Sequence, residues 1–189
     1  MNRFVPPHFR EIHPADEVCR AVVRVAEEIT PWAEEVHART HEQPLALCIL
    51  RGAFLFHADL MKAIPCSIQP GFVRCQSYIH EENRQAETIR FDLLGLDIRG
   101  RHVLLVDDIC DTGRTMKVLA GHLRESGAAE VRTAVLIHRT VPGSVFTPDH
   151  ACFRYGGPEW FAGYGMEDAH WYMNYPAVYV MQPGAGGAA

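Results

Sequence analysis

The stretch VLLVDDICDTGRTM, residues 103–116, ends an apolar run on two adjacent carboxylates, Asp107 and Asp108. A third, Asp111, follows three residues later and opens the turn Asp111-Thr112-Gly113-Arg114-Thr115. Two neighbouring acids at the end of a buried strand can accept hydrogen bonds from a vicinal diol or hold a hydrated Mg²⁺. A bare acid pair would equally suit a solvated loop that caps a helix, but the turn behind it favours a ligand. It leads straight into an amphipathic stretch, and a helix start offers unpaired N–H groups and the positive end of the dipole to an anion. Gly113 permits close backbone approach, Thr112 and Thr115 add hydroxyls, and Arg114 adds charge. The G-x-x-x-x-G-K-[ST] spacing of a triphosphate loop is absent, so the expected ligand is a sugar monophosphate.

The elements that must carry this turn read as follows. Apolar residues from Val18 to Val36 recur every three or four positions, which predicts a helix from Ala15 or Asp16 to about Arg39. Pro31 inside it predicts a kink or two consecutive helices. LALCIL (45–50) has the continuous apolar character of a strand buried on both faces, and FLFHADLMKA after it reads as a helix. A strand is expected near 71–78, and the polar segment 79–92 as a long mobile loop or ribbon. HVLLV (102–106), a helix from about Thr115 to Glu125 closed by Gly127, and RTAVLI (132–137) form a βαβ unit, which implies a parallel sheet. Further strands are expected at Ala151–Arg154 and 177–181, whereas residues 1–14, with three prolines, read as irregular.

Hydrophobic residues make up 48% of the 189, enough for one continuous core. The net charge of −5 argues against a generic nucleic-acid or anionic-membrane binder. No apolar run approaches the roughly 18–20 residues of a membrane span, and the N-terminus lacks a signal-like apolar core. Six scattered cysteines without C-x-x-C spacing suit reduced thiols in a cytoplasmic protein. His37 and His41 share a helix spacing, but no third ligand lies nearby, so an exposed helix face is the favoured reading.

The apolar run followed by D-D-x-x-D-T-G-x-T resembles the 5-phosphoribosyl-1-pyrophosphate (PRPP) motif of type I phosphoribosyltransferases. That resemblance implies an α/β fold: a twisted parallel sheet of about five strands, flanking helices and a small hood subdomain. It puts Asp107 and Asp108 on the ribose, Asp111 to Thr115 around the 5′-phosphate, and Asp111 at the general base. Three more stretches are similar to the hypoxanthine-guanine branch. LRGAFLFHADL (50–60) matches a basic-Gly peptide, often cis, that lines the pyrophosphate site, giving Arg51 and Gly52 that role. Ser77-Tyr78 matches the start of the family's mobile loop. HRTVPGS and EWFAGYGMED match the base-binding segments, which makes His138, Trp160 and Phe161 the base-contacting residues, with Trp160 stacking and the Phe161 backbone meeting the base edge.

The resemblance further implies Mg²⁺ on Asp107, Asp108 and Glu167, a homo-oligomer (dimer or tetramer), and small-molecule partners: PRPP, a purine base and a nucleoside monophosphate. The whole chain reads as one domain, with a core from about 40–145, a hood from about 1–15 and 148–183, and a tail at 184–189. The implied reaction is transfer of the phosphoribosyl group to hypoxanthine or guanine with release of pyrophosphate. Three departures bear on it. His138 stands where the branch has Lys, which leaves selection for a 6-oxo group, a 6-amino group or another base open. Met173 stands where the branch has Arg, a loss that Arg84 or Arg90 would have to make good. Glu167 replaces Asp, with Asp168 adjacent. These changes also leave open a nucleotide-sensing protein without efficient chemistry.

Overall fold

The computed structural model describes residues 4–79, 87–166 and 171–181. In chain order the elements are β1 (Arg10–His13), α1 (Ala15–Thr40), β2 (Leu45–Leu50), α2 (Phe54–Ala63), β3 (Gln69–Ile79) and β4 (Glu87–Asp92). They continue with β5 (His102–Cys110), α3 (Arg114–Glu125), β6 (Glu130–Arg139), β7 (His150–Tyr155), β8 (Trp160–Ala162) and β9 (Val178–Met181).

The large sheet has the order β4-β3-β2-β5-β6-β7, parallel throughout except for β4. Along β5, Leu104 and Val106 face α1 and α2, while Val103 and Leu105 face α3. Burial on both faces explains why the strand reads as an unbroken apolar run. On one side Val25, Ile29, Trp32, Phe56 and Leu60 cover the sheet; on the other Met116, Leu119 and Leu123 do. Each fully buried aliphatic side chain of this kind contributes about 2 kcal/mol.

The second sheet is a small antiparallel one of order β1-β9-β8, with its own cluster of Phe9, Ala162, Ala177, Tyr179 and Met181. β1 falls where irregular chain was expected; an edge strand of four residues is specified by its partner β9 rather than by its own pattern. β7, placed in the hood by the sequence reading, pairs instead with β6 in the large sheet. Pro31 does not divide the first helix: α1 runs unbroken through it, held by Val18, Val22, Val25, Ile29, Trp32 and Val36 on its buried stripe. His41 ends α1 in the left-handed conformation, and both His37 and His41 are exposed.

Of the segment expected as a loop or ribbon, residues 87–92 form a ribbon with β3. Ser77 and Tyr78 fall in the last three residues of β3, paired with Ile89 and Thr88. The tip of that segment and the C-terminal tail (184–189) lie outside the described residues. No helix among the described residues is long and apolar enough to cross a membrane.

Candidate active site

The sheet opens where the sequence places its acids. β5 pairs with β2 only as far as Val106, opposite Cys48. Beyond it Ile49 and Leu50 continue against β3, and Asp107 to Cys110 continue against β6. A crevice therefore starts between the carboxyl ends of β2 and β5, where the strand order changes direction and ligands of open α/β sheets bind. Asp107 and Asp108 occupy the last turns of β5 itself rather than a loop beyond it.

Asp107 is buried, and its Oδ1 accepts the Asp108 N–H at 3.0 Å. Asp108 Oδ1 accepts the Ile109 N–H at 2.8 Å. Burial, and then the neighbouring Asp108 carboxylate, push the Asp107 carboxyl well above the usual range. Across the crevice, Leu50–Arg51 is a cis peptide, and the next residue, Gly52, lies directly against Asp108. A Cβ on Gly52 would stand 1.8 Å from Asp108 Oδ2, so no side chain fits there. Cys110 is a small buried filler: burial, Asp107 and Asp111 push its thiol up to about 11, away from the thiolate form.

The turn from Asp111 to Thr115 leads into α3. Gly113 is its N-cap residue, with φ of 79° and no side-chain capping bond, and the first turn of α3 contains no acid. The N–H groups there thus remain open to an anion. Asp111, Thr112 and Arg114 are exposed and Thr115 is half-buried. The β6–β7 loop braces the turn from behind: the Val145 N–H reaches the Thr112 carbonyl at 2.9 Å, and Phe146 packs on Gly113, where a Cβ would lie 2.6 Å from its own.

His138 is buried beside Cys110 in the strand register. Burial, then the Arg154 guanidinium on the neighbouring strand, hold its imidazole below the usual histidine range, so it is neutral at pH 7. Trp160 is 65% exposed at the start of β8, the edge strand of the small sheet, while the Phe161 side chain is buried. The segment after β8 meets the loop after β2 at Gly165, whose absent Cβ would lie 2.0 Å from the Gly52 carbonyl, and is anchored on α2 by Tyr164, whose hydroxyl donates to Asp59 Oδ2 at 2.7 Å.

The fold thus gathers Gly52, the acid pair, the turn, His138 and β8 at one end of the large sheet. Glu167, Asp168 and Arg84 lie outside the described residues. Arg90 lines a groove along the outer face of α3 with Lys117 and His122. Met173 is half-buried, its carbonyl accepting the Gly165 N–H at 2.8 Å. One residue went unnoticed in the sequence. Arg139, 10% exposed at its side chain, places Nε 2.9 Å from Asp111 Oδ1. Its signal was a cation ending a buried apolar strand, a group that must find partners.

With this geometry in hand, comparison with known proteins is decisive. A family model described as a phosphoribosyl transferase domain matches residues 21–168. The chain belongs to the phosphoribosyltransferase family. Within this enzyme family it falls on the hypoxanthine-guanine branch. It is 33% identical over 163 residues to the hypoxanthine-guanine phosphoribosyltransferase of Streptococcus pneumoniae, covering 82% of this chain and 89% of that one. It is 28% identical over 174 residues to the hypoxanthine-guanine-xanthine enzyme of Tritrichomonas foetus, covering 92% and 91%. A solved hypoxanthine-guanine-xanthine phosphoribosyltransferase superposes with a TM-score of 0.77 at 27% identity, covering 92% of this chain and 97% of that one. A mutant hypoxanthine phosphoribosyltransferase of Trypanosoma cruzi, complexed with the product IMP, shares the fold with a TM-score of 0.79 at 23% identity, covering 96% and 94%.

Proposed function

We propose that this phosphoribosyltransferase transfers the phosphoribosyl group of PRPP to hypoxanthine or guanine, giving IMP or GMP and pyrophosphate, in purine salvage in the cytoplasm. The observation that carries this reading is the open, uncapped start of α3 behind Asp111, beside an acid pair of which Asp107 is buried and Asp108 half-buried. In this reading a purine ring nitrogen forms a bond to C1 of the ribose as the C1–pyrophosphate bond breaks. The proton the base must lose leaves the other imidazole nitrogen, N7, for the Asp111 carboxylate. Asp107 and Asp108 accept from the ribose hydroxyls, Thr112 to Thr115 hold the 5′-phosphate, and Arg51 and Gly52 face the pyrophosphate. The base stacks on Trp160, with its edge on the Phe161 backbone and on His138. Ser77 and Tyr78 belong to the ribbon that closes over PRPP.

Mg²⁺ fits the donors present. Among the described residues no group of three ligating side chains occurs, but this cation keeps several waters and takes one or two carboxylates plus substrate oxygens. Asp107 and Asp108 would hold it together with Glu167, and it would offset charge on the leaving group. A homo-oligomer, dimer or tetramer, is part of the same proposal.

A second reading has an observation of its own. The neutral, buried His138 can donate from one ring nitrogen and accept at the other, so it can also suit a 6-amino or a different base. Pyrophosphate release measured against hypoxanthine, guanine, xanthine, adenine and pyrimidine bases separates the two. Turnover confined to the 6-oxopurines supports the first reading, and preference for any other base replaces it with the second.

A further inference from the structure

Arg139 ends β6 almost wholly enclosed, yet it does not pair with another buried group. Its Nε lies 2.9 Å from Oδ1 of Asp111, whose side chain is 61% exposed to the crevice. The N–H is not aligned on that oxygen, so the contact is an ion pair and leaves the carboxylate lone pairs free to accept elsewhere. The two terminal nitrogens point away from Asp111. One donates to the Gly157 carbonyl and the other to the Glu159 carbonyl at 2.9 Å. The guanidinium plane also covers the Phe161 ring, 4.6 Å from its centroid, and that ring meets Tyr155 edge-on at 5.1 Å.

One side chain therefore joins the end of β5 to the backbone that leads into Trp160 and Phe161. Only a planar fork can do this, since it must span two carbonyls while its third edge meets a carboxylate. A guanidinium kept there for fold stability alone would satisfy itself on Gly157, Glu159 and Phe161. The ion pair to an exposed carboxylate adds little to stability; what it does is fix where that carboxylate stands.

We propose that Arg139 is a positioning residue that sets Asp111 against the base platform formed by Trp160 and Phe161, so that the acceptor oxygen and the stacked base keep one geometry. The inference rests on the reading of this site as a purine site. Its consequence is that base use and PRPP binding respond differently to changes at Arg139.

The test is steady-state kinetics of Arg139→Gln and Arg139→Lys, with base and PRPP varied separately. A misplacement of about 1 Å at a reacting group costs on the order of 10²-fold. Arg139→Gln is expected to lower kcat/KM for the base by about that factor while KM for PRPP moves by less than about threefold. Arg139→Lys restores the charge but not the fork, so it should remain at least about tenfold below wild type for the base. In an Asp111→Asn background Arg139→Lys should cost little more, because it acts through Asp111. Equal rises in KM for base and PRPP, a loss that adds fully to that of Asp111→Asn, or full activity in Arg139→Lys would each overturn the proposal, and the lysine variant decides if the glutamine one does not fold. Absence of pyrophosphate release by the wild type with every base removes the purine-site reading and this inference together. Wild-type turnover with undisturbed variants removes the inference alone.

Discussion

Asp111 and Asp107 stand four residues apart and differ in their surroundings. Asp111 is exposed at the crevice and fixed in place by the Arg139 ion pair, and in the proposed reaction it accepts the proton of the base. General base catalysis is worth about 10²–10⁴-fold, so Asp111→Asn should lower kcat by that range with KM for PRPP little changed, as steady-state rates will show. Asp107 is the opposite case. Its folded-state carboxyl titrates well above the unfolded value because of burial and then Asp108. Such a group stabilises the fold fully below the unfolded value of about 3.9, and its contribution is lost as pH rises toward the folded one. Asp107→Asn removes that loss. The unliganded variant should therefore melt higher than wild type at pH 7–8, the gain should shrink toward pH 4, and PRPP affinity should fall. Thermal melts across that window check the sign. The acids and the turn were legible in the sequence because one short stretch contains them all. Arg139 was not, because its partners lie on β5 and on the segment before β8, which only the fold brings together.

At the scale of elements, the strands that read clearly were those buried on both faces, such as β2 and β5, whose apolar runs need no partner to be recognised. β1 and β8, of four and three residues, escaped notice because edge strands so short are specified by β9 across the small sheet. Pro31 misled for a related reason: its local penalty is outweighed by the buried stripe of α1. The loop after β2 approaches the end of β5 closely at Gly52. Gly52→Ala places a methyl on the Asp108 carboxylate, so the loop or the acid must move. Overpacking of this kind costs about 1–3 kcal/mol. The variant should lose that much stability in denaturant titration and bind PRPP at least about tenfold more weakly.

The whole molecule keeps its two ends for different purposes. At the end of the large sheet away from the crevice, Glu130 accepts from Trp32 Nε1 at 2.9 Å and Arg132 Nε at 2.9 Å, and meets His102 Nδ1 at 3.1 Å. Burial would push its carboxyl up, but those donors outweigh it and hold it down at about 2. A depressed carboxyl contributes stability that is present above the unfolded value of 4.5 and is lost as pH falls toward about 2. Glu130 is a third exposed, which discounts the gain to about 1 kcal/mol. Glu130→Gln should be less stable by about that amount at pH 7, and the difference should shrink as pH falls below 4.5 and close near pH 2, as acid-unfolding curves will report. At the other end lies the crevice of the proposed site. Fold class, the acid pair and the turn before α3 could be read from sequence because they depend on local patterns. The base pocket could not, because His138 takes its character from burial and from Arg154 across the sheet.

Whether the turn after β5 and its acids bind a phosphoribosyl group is decided by isothermal titration of PRPP with Mg²⁺ into the wild-type protein, alongside IMP and GMP. Saturable binding at one site per chain is expected, weakened at least about tenfold in Asp108→Asn, where a charged acceptor for the ribose hydroxyls is lost. Absence of heat from PRPP·Mg²⁺ and from both nucleotides would contradict it.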